Sequence, residues 1–459
     1  MTRLTTLIGG LTSALALLGL VAPAGADETT GALPRYRLKV GQELKYHGTS
    51  DFKYENGSFG YKTDWQVWVV GANDDGSWRL VLRSSNLMTR KDNGRELGGG
   101  SADVTLAYCD LFPDGRIVPN DSFGFRLDPS SIFPRLPKDA AEVKDGWRDV
   151  NLRQGNRTEF RRSARAANGP DEWVFEGVRN SPTDKIYLSS HQATYVFDAK
   201  RGLVARVESE NSQGYGFKGK GTGTEELTAV EAQDAGRAQT FAAESARYFE
   251  ANKAYQALLE KAGKDAKEVD ALLARGEKVL KDAREALNLP VLREQVDEQL
   301  KSHKQMASYY AEEAKNRAAV LGHDAAEWET KDLDGKSHSL KGYRGKVVIL
   351  DFWYRGCGWC IRAMPQVKEL SDDFKGEPVA VLGMNTDKDE KDARLVVEEM
   401  GLTYPTLKAE GLPEKYHVRG FPTLIIIDQE GKVADVHVGY SPTLREEVSK
   451  SVKSLLSRK

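Results

Sequence analysis

The run VVILDFWYRGCGWCIRAMP occupies residues 347–365. It opens on seven residues of strand character. It then passes through a short turn into a segment with Met364, Val367 and Leu370 at helical spacing. Cys357 and Cys360 stand where strand gives way to helix. A thiol at that junction faces the helix N-terminus, whose unsatisfied N–H groups and macrodipole favour an anion. The thiolate is the nucleophilic form of cysteine, so this position marks Cys357 as the reactive sulfur. Cys360 lies about one helical turn on. It can close a disulfide with Cys357 or resolve a mixed disulfide with a substrate. Two readings compete with this one. A zinc half-site would need about two more ligands, and His417 and His437 are isolated. An inert bridge across so small a loop would add little chain entropy.

Around this run, residues 321–459 alternate strand and helix. AVLGMNT and TLIIIDQ are further strand-like runs, whereas DARLVVEEM and LREEVSKSVKSLL are helical in pattern. Such alternation predicts an α/β sheet with helix-covered faces. The stretch TLIIIDQEGKVADVHVG reads as a β-hairpin turning at Glu430 and Gly431.

These residues resemble the thioredoxin superfamily, and within it the extracytoplasmic TlpA/ResA-like thiol–disulfide oxidoreductases. LKGYRGKVVILDFW resembles that group's entry strand. CGWCIRAMP matches its C-x-x-C followed five residues later by a proline, here Pro365. VRGFPTLIIID resembles the loop that holds a cis-proline opposite the disulfide, here Pro422. The resemblance implies a thioredoxin-like domain and a protein-disulfide oxidoreductase whose redox group is the Cys357–Cys360 disulfide, with no other cofactor and no metal.

The resemblance also implies roles. Asp351, six residues before Cys357, matches a buried acid. A carboxylate desolvated beneath the disulfide has a raised pKa and can take the proton from Cys360. Pro422 would lack an N–H and leave the Phe421 carbonyl for strand-like pairing with a substrate. Phe421 and Trp359 would form an apolar lip, and Trp353 would pack. Protein thiols and disulfides are the implied substrates. The reducing direction is favoured by the resemblance, with a membrane thiol carrier as electron donor. Three positions depart from the family pattern: Gly356 replaces a usual Trp, Trp359 a usual Pro, and Ala363 a frequent acid. Residues between the cysteines tune a potential that spans ~150 mV across the superfamily. A peroxiredoxin frame, Pro-x-x-x-Thr-x-x-Cys, is not found.

Upstream the chain changes character twice. Residues 27–228 read as a β-rich domain: TDWQVWVV, WRLVLRSS, EWVFEGV, ATYVFDA and GLVARVESE are separated by turns such as Asn56-Gly57 and Asp75-Gly76. An antiparallel sandwich or a partly open barrel is expected, with Trp65, Trp68, Trp78 and Tyr108 in its core. Gly214, Gly216 and Gly219 spell G-x-G-x-x-G, but no strand–turn–helix surrounds them, so a Gly-rich strand is the better reading. In residues 229–320 glycine nearly vanishes. Three helices are predicted, broken near Gly263 and near Asn288–Pro290. An interaction hairpin or a dimerising coiled coil is the alternative there.

Residues 1–26 read as a signal peptide, with Arg3, an uncharged run and Ala24-Gly25-Ala26 as the cleavage site. A retained anchor competes with it. No later stretch is apolar enough to span a membrane, so the mature chain is expected to lack a transmembrane segment and to work outside the cytoplasm. The composition agrees with a multidomain soluble protein. The chain has 459 residues, three cysteines, 40% hydrophobic residues and a net charge of −2. That balance argues against a nucleic-acid partner, and three cysteines are too few for a disulfide scaffold. Cys109 is left over and is expected to be a buried small hydrophobe. A different class of function stays open: an envelope binding or scaffold protein whose β-rich part dominates, with an accessory redox domain.

Overall fold

The computed structural model describes residues 33–457, apart from 93–94, 98–101, 121–126, 152–155, 164–170, 182–183 and 216–217. The expected signal peptide and Gly216 therefore lie outside the described residues. Residues 34–459 form one compact unit.

Twelve strands make the N-terminal part: β1 (Gln42–Tyr54), β2 (Gly57–Ala72), β3 (Trp78–Asp92), β4 (Arg95–Leu97), β5 (Asp103–Leu111), β6 (Ile117–Pro119), β7 (Trp147–Asn151), β8 (Asn156–Arg162), β9 (Glu172–Asn180), β10 (Ser190–Asp198), β11 (Leu203–Gln213) and β12 (Gly219–Ala232). They form one continuous antiparallel sheet in the order β6-β5-β3-β2-β1-β12-β11-β10-β9-β8-β7, with β4 on β3. One sheet, not the two of a sandwich, is what the turn signals produce. Its inner face closes on a single core that joins Trp65, Leu80 and Cys109 from one half to Phe160, Phe175 and Tyr195 from the other. Trp78 packs at the edge of that core.

The outer face of β2, β3 and β5 is covered as well. Beyond the short helices α1 (Ala140–Asp145) and α2 (Asp184–Tyr187), helix α3 (Ala235–Ala262) lies on it, with Phe241 against Trp68 at a ring separation of 4.6 Å and Phe249 stacked on Tyr108 at 4.8 Å. This explains the unbroken run Trp68-Val69-Val70 in β2: a strand buried on both faces needs no alternation. Helices α4 (Val269–Ala286) and α5 (Pro290–Val320) complete the layer. The expected boundary at residue 228 shifts. β12 continues to Ala232 because Val230 and Ala232 pair with Leu44 and Gln42 of β1. A partner strand overrides the helix preference of this Ala- and Glu-rich stretch. α3 then starts behind Asp234, whose side chain accepts from the Arg237 amide.

The C-terminal part is a five-stranded sheet beside a small hairpin, β13 (Glu329–Lys331) and β14 (Ser337–Ser339). Its strands are β15 (Val347–Trp353), β16 (Val379–Asn385), β17 (Thr406–Lys408), β18 (Thr423–Ile427) and β19 (Val433–Val438), in the order β17-β16-β15-β18-β19. β15 is central, parallel to β16 and antiparallel to β18. All seven of its residues are buried. Side chains alternate across a strand. Val348, Leu350 and Phe352 therefore enter one core, and Val347 and Ile349 the other. The end of α5 is tied to this part by Arg317, which bonds the Asp435 carboxylate at 2.6 Å and the Val436 carbonyl.

Candidate active site

Strand β15 delivers the chain to the turn Tyr354–Gly356, and the helix Gly358–Asp373 starts immediately after Cys357. Cys357 is the N-cap: its Sγ accepts from the Cys360 amide at 3.1 Å. Cys357 and Cys360 are joined in a disulfide with Cα atoms 5.2 Å apart. A sulfur at this position is met by a backbone N–H donor at the helix start, the arrangement that favours a thiolate. Pro365 sits inside the same helix and removes the N–H that would reach the Ile361 carbonyl. The disulfide is recessed, with Cys357 only 6% exposed and Cys360 1%.

Asp351 follows the alternation of β15 and is fully enclosed. Burial pushes its carboxyl up to about 7, offset only in part by the Tyr404 hydroxyl, which donates to its Oδ2 at 3.3 Å. Such a group exchanges a proton near neutral pH. Trp353, the next residue on that face, packs with both cysteines.

The rim is aromatic. Trp359 is 54% exposed, stacked on Tyr440 at 5.5 Å, with the Arg362 guanidinium 4.8 Å over its ring. Phe421 meets Tyr354 edge-on at 5.2 Å and packs on the cysteine cluster. The Phe421–Pro422 peptide is cis. Phe421 thus packs on the cluster that holds Cys357 and Cys360, the exposed Trp359 stands between the two cysteines in sequence, Pro422 follows Phe421 and is itself buried, and Asp351 lies in the interior of β15. Cys109 is buried in the distant β-sheet core. Among the described residues, no group of three His, Cys, Asp or Glu side chains is placed to hold a metal ion.

Several residues at this site escaped the sequence reading. Tyr404 and Tyr440 carried no local signal. Arg355 did, being a cation two residues before Cys357. It is almost fully buried, and its guanidinium bridges the C-terminal part and the β-rich part. Nε and Nη2 donate to the Ile186 carbonyl at 3.2 and 2.5 Å, and Nη1 donates to Asp392 at 2.6 Å. Ile186 and Tyr187, from the short helix Asp184–Tyr187 between β9 and β10, pack into the same cluster as the two cysteines.

A family model described as Redoxin matches residues 315–455. The thiol-disulfide oxidoreductase ResA of Halalkalibacterium halodurans is 31% identical over 135 residues, covering 29% of this chain and 75% of the relative. The thioredoxin-like protein YneN of Bacillus subtilis is 34% identical over 122 residues, 26% of this chain and 71% of the relative. Among solved structures, the thioredoxin domain of a thiol-disulfide oxidoreductase from Bacteroides vulgatus is 30% identical. That match covers 29% of this chain and 98% of that one, with a TM-score of 0.27.

Proposed function

Because the chain belongs, through residues 315–455, to the thioredoxin-like thiol–disulfide oxidoreductases, we propose that it reduces disulfides of protein substrates through the Cys357–Cys360 dithiol. The observation that carries this reading is the disulfide at the helix start, with the Cys357 sulfur held on a backbone amide. In the reducing direction the Cys357 thiolate attacks one sulfur of a substrate disulfide. The substrate S–S bond breaks, its second sulfur leaves as a thiolate and takes a proton, and a mixed disulfide forms. Cys360 then gives up its proton, which Asp351 accepts directly or through a water, and attacks the Cys357 sulfur. The second substrate thiolate leaves, and the Cys357–Cys360 disulfide closes. Two electrons have passed to the substrate, and an external thiol donor must return them.

Phe421 and Trp359 form the apolar lip that receives the substrate. Pro422, lacking an N–H, keeps the adjoining edge open for an extended chain. We place the protein outside the cytoplasm, in line with the signal-like residues 1–26. No helix among the described residues is long and apolar enough to cross a membrane. The family match lies on the redox part of the chain, which favours the enzyme reading over the scaffold reading.

The test is insulin reduction by the purified chain with dithiothreitol as electron source, together with a Cys360→Ser trap. Turnover that is lost in Cys357→Ala, and a captured mixed disulfide on Cys357 in the trap, are expected. Turnover no faster than the dithiothreitol background overturns the proposal.

A further inference from the structure

The redox site is not built from the thioredoxin-like part alone. The tip between β9 and β10 is fastened to it by several contacts. The Arg355 guanidinium grips the Ile186 carbonyl with two N–H groups and lies 3.8 Å from the centre of the Tyr215 ring. Lys185 pairs with Glu399 at 3.0 Å. The amides of Gly214 and Tyr215 donate to the Tyr187 carbonyl, and the two tyrosine rings stack at 6.0 Å. These contacts fix the Tyr187 side chain against the disulfide cluster. A side chain on Gly358, the first residue after Cys357, would begin 3.7 Å from the Tyr187 hydroxyl oxygen. That oxygen is buried and has no hydrogen-bond partner among the described residues.

A buried tyrosine hydroxyl nearly always finds an acceptor. Here both sulfurs are tied up in the disulfide, and a disulfide sulfur accepts weakly. Opening the disulfide creates a strong acceptor, the Cys357 thiolate, next to Gly358. We propose that Tyr187 is a positioning residue of the dithiol site: in the reduced protein its hydroxyl donates to the Cys357 sulfur and holds it as a thiolate. The β-rich part thereby contributes to the chemistry of a cysteine well over a hundred residues away in sequence. This inference rests on the dithiol reading of Cys357 and Cys360. The other titratable or charged groups around the tyrosine are Tyr215, Tyr354, Arg355 and Arg362, with Asp351 deeper in the same part of the chain.

The test compares the reduced full-length chain with Tyr187→Phe, which keeps the ring and removes only the donor. Iodoacetamide alkylation of Cys357 is followed against pH by peptide mass. Losing a hydrogen bond to the charged form should move the Cys357 titration up by roughly one pH unit. Arg355→Lys keeps the charge and loses the two-pronged grip on Ile186. It should move the titration in the same direction by freeing the tip. A Tyr187→Phe titration that overlays the parent overturns the proposal, even if Arg355→Lys shifts it. Insulin turnover by the parent is measured alongside. Its absence would defeat the oxidoreductase reading and leave the alkylation result for Tyr187 fully interpretable.

Discussion

At the scale of single residues, Asp351 carries the most consequence. An unfolded aspartate titrates near 3.9, on the order of three units below the native group. Between those pH values the native state holds a proton that the unfolded state has released. Stability therefore falls as pH rises from about 4 to about 7, then levels off. Asp351→Asn should abolish that slope, leaving the oxidised variant more stable than the parent at pH 8 by on the order of 4 kcal/mol. Urea unfolding at pH 5 and pH 8 reads this directly. The same variant should slow release of a substrate from the mixed disulfide by about a hundredfold and flatten its dependence on pH near 7. A variant that resolves at the parental rate with the parental pH profile removes Asp351 from the proton path. The position of Asp351 was legible from its distance to Cys357. Its partner Tyr404 was not, because that bond joins residues far apart in sequence and nothing in the local pattern around Tyr404 marks it.

At the scale of elements, helix ends need acceptors and donors that the sequence does not always supply nearby. Pro290 was legible as the start of α5, yet Leu289 at its N-cap offers no side-chain cap. The acceptor comes from α3. Buried Glu244 accepts from the amides of Asn288 and Leu289 at 2.8 Å each and from the Asn288 side chain at 3.1 Å. Burial alone would raise its pKa, but these hydrogen bonds hold the carboxyl below the usual range. Its stabilising effect is thus present above the unfolded carboxylate pKa and is lost as pH falls through the native one. Glu244→Ala should cost about 2 kcal/mol at pH 7 by leaving buried amides unpaired. The loss should shrink at pH 3, as chemical denaturation at the two pH values would show. An equal loss at both would mean that packing, not the charge, is what Glu244 contributes.

At the scale of the whole molecule, the three parts recognised along the sequence are less separate than their compositions suggest. The helices were legible from their apolar stripes, and the sheet from its turns. Their union was visible only as a strand run too apolar for one buried face. The helices and the outer face of β2, β3 and β5 share one core, from Trp68, Val70, Val81 and Leu106 to Phe241, Leu273 and Val296. A chain ending at Ala232 should therefore expose an apolar patch, bind a hydrophobic dye and aggregate. A chain ending at Val320 should stay monodisperse in gel filtration. If both behave alike, the helices are an appendage and the shared core is not what holds the sheet in solution. The bridge from Arg355 to the β9–β10 tip was invisible for a related reason: it joins residues 169 apart in sequence, and a four-residue helix has no periodicity to read.

Trp353 packs, wholly out of solvent, in the cluster that holds both sulfurs. Disulfides quench indole emission on contact, and a buried indole emits at shorter wavelength than one in water. The protein therefore carries its own optical gauge of electron load. Blue-shifted light from Trp353 should brighten when the Cys357–Cys360 bond opens and dim when it closes, with no label attached.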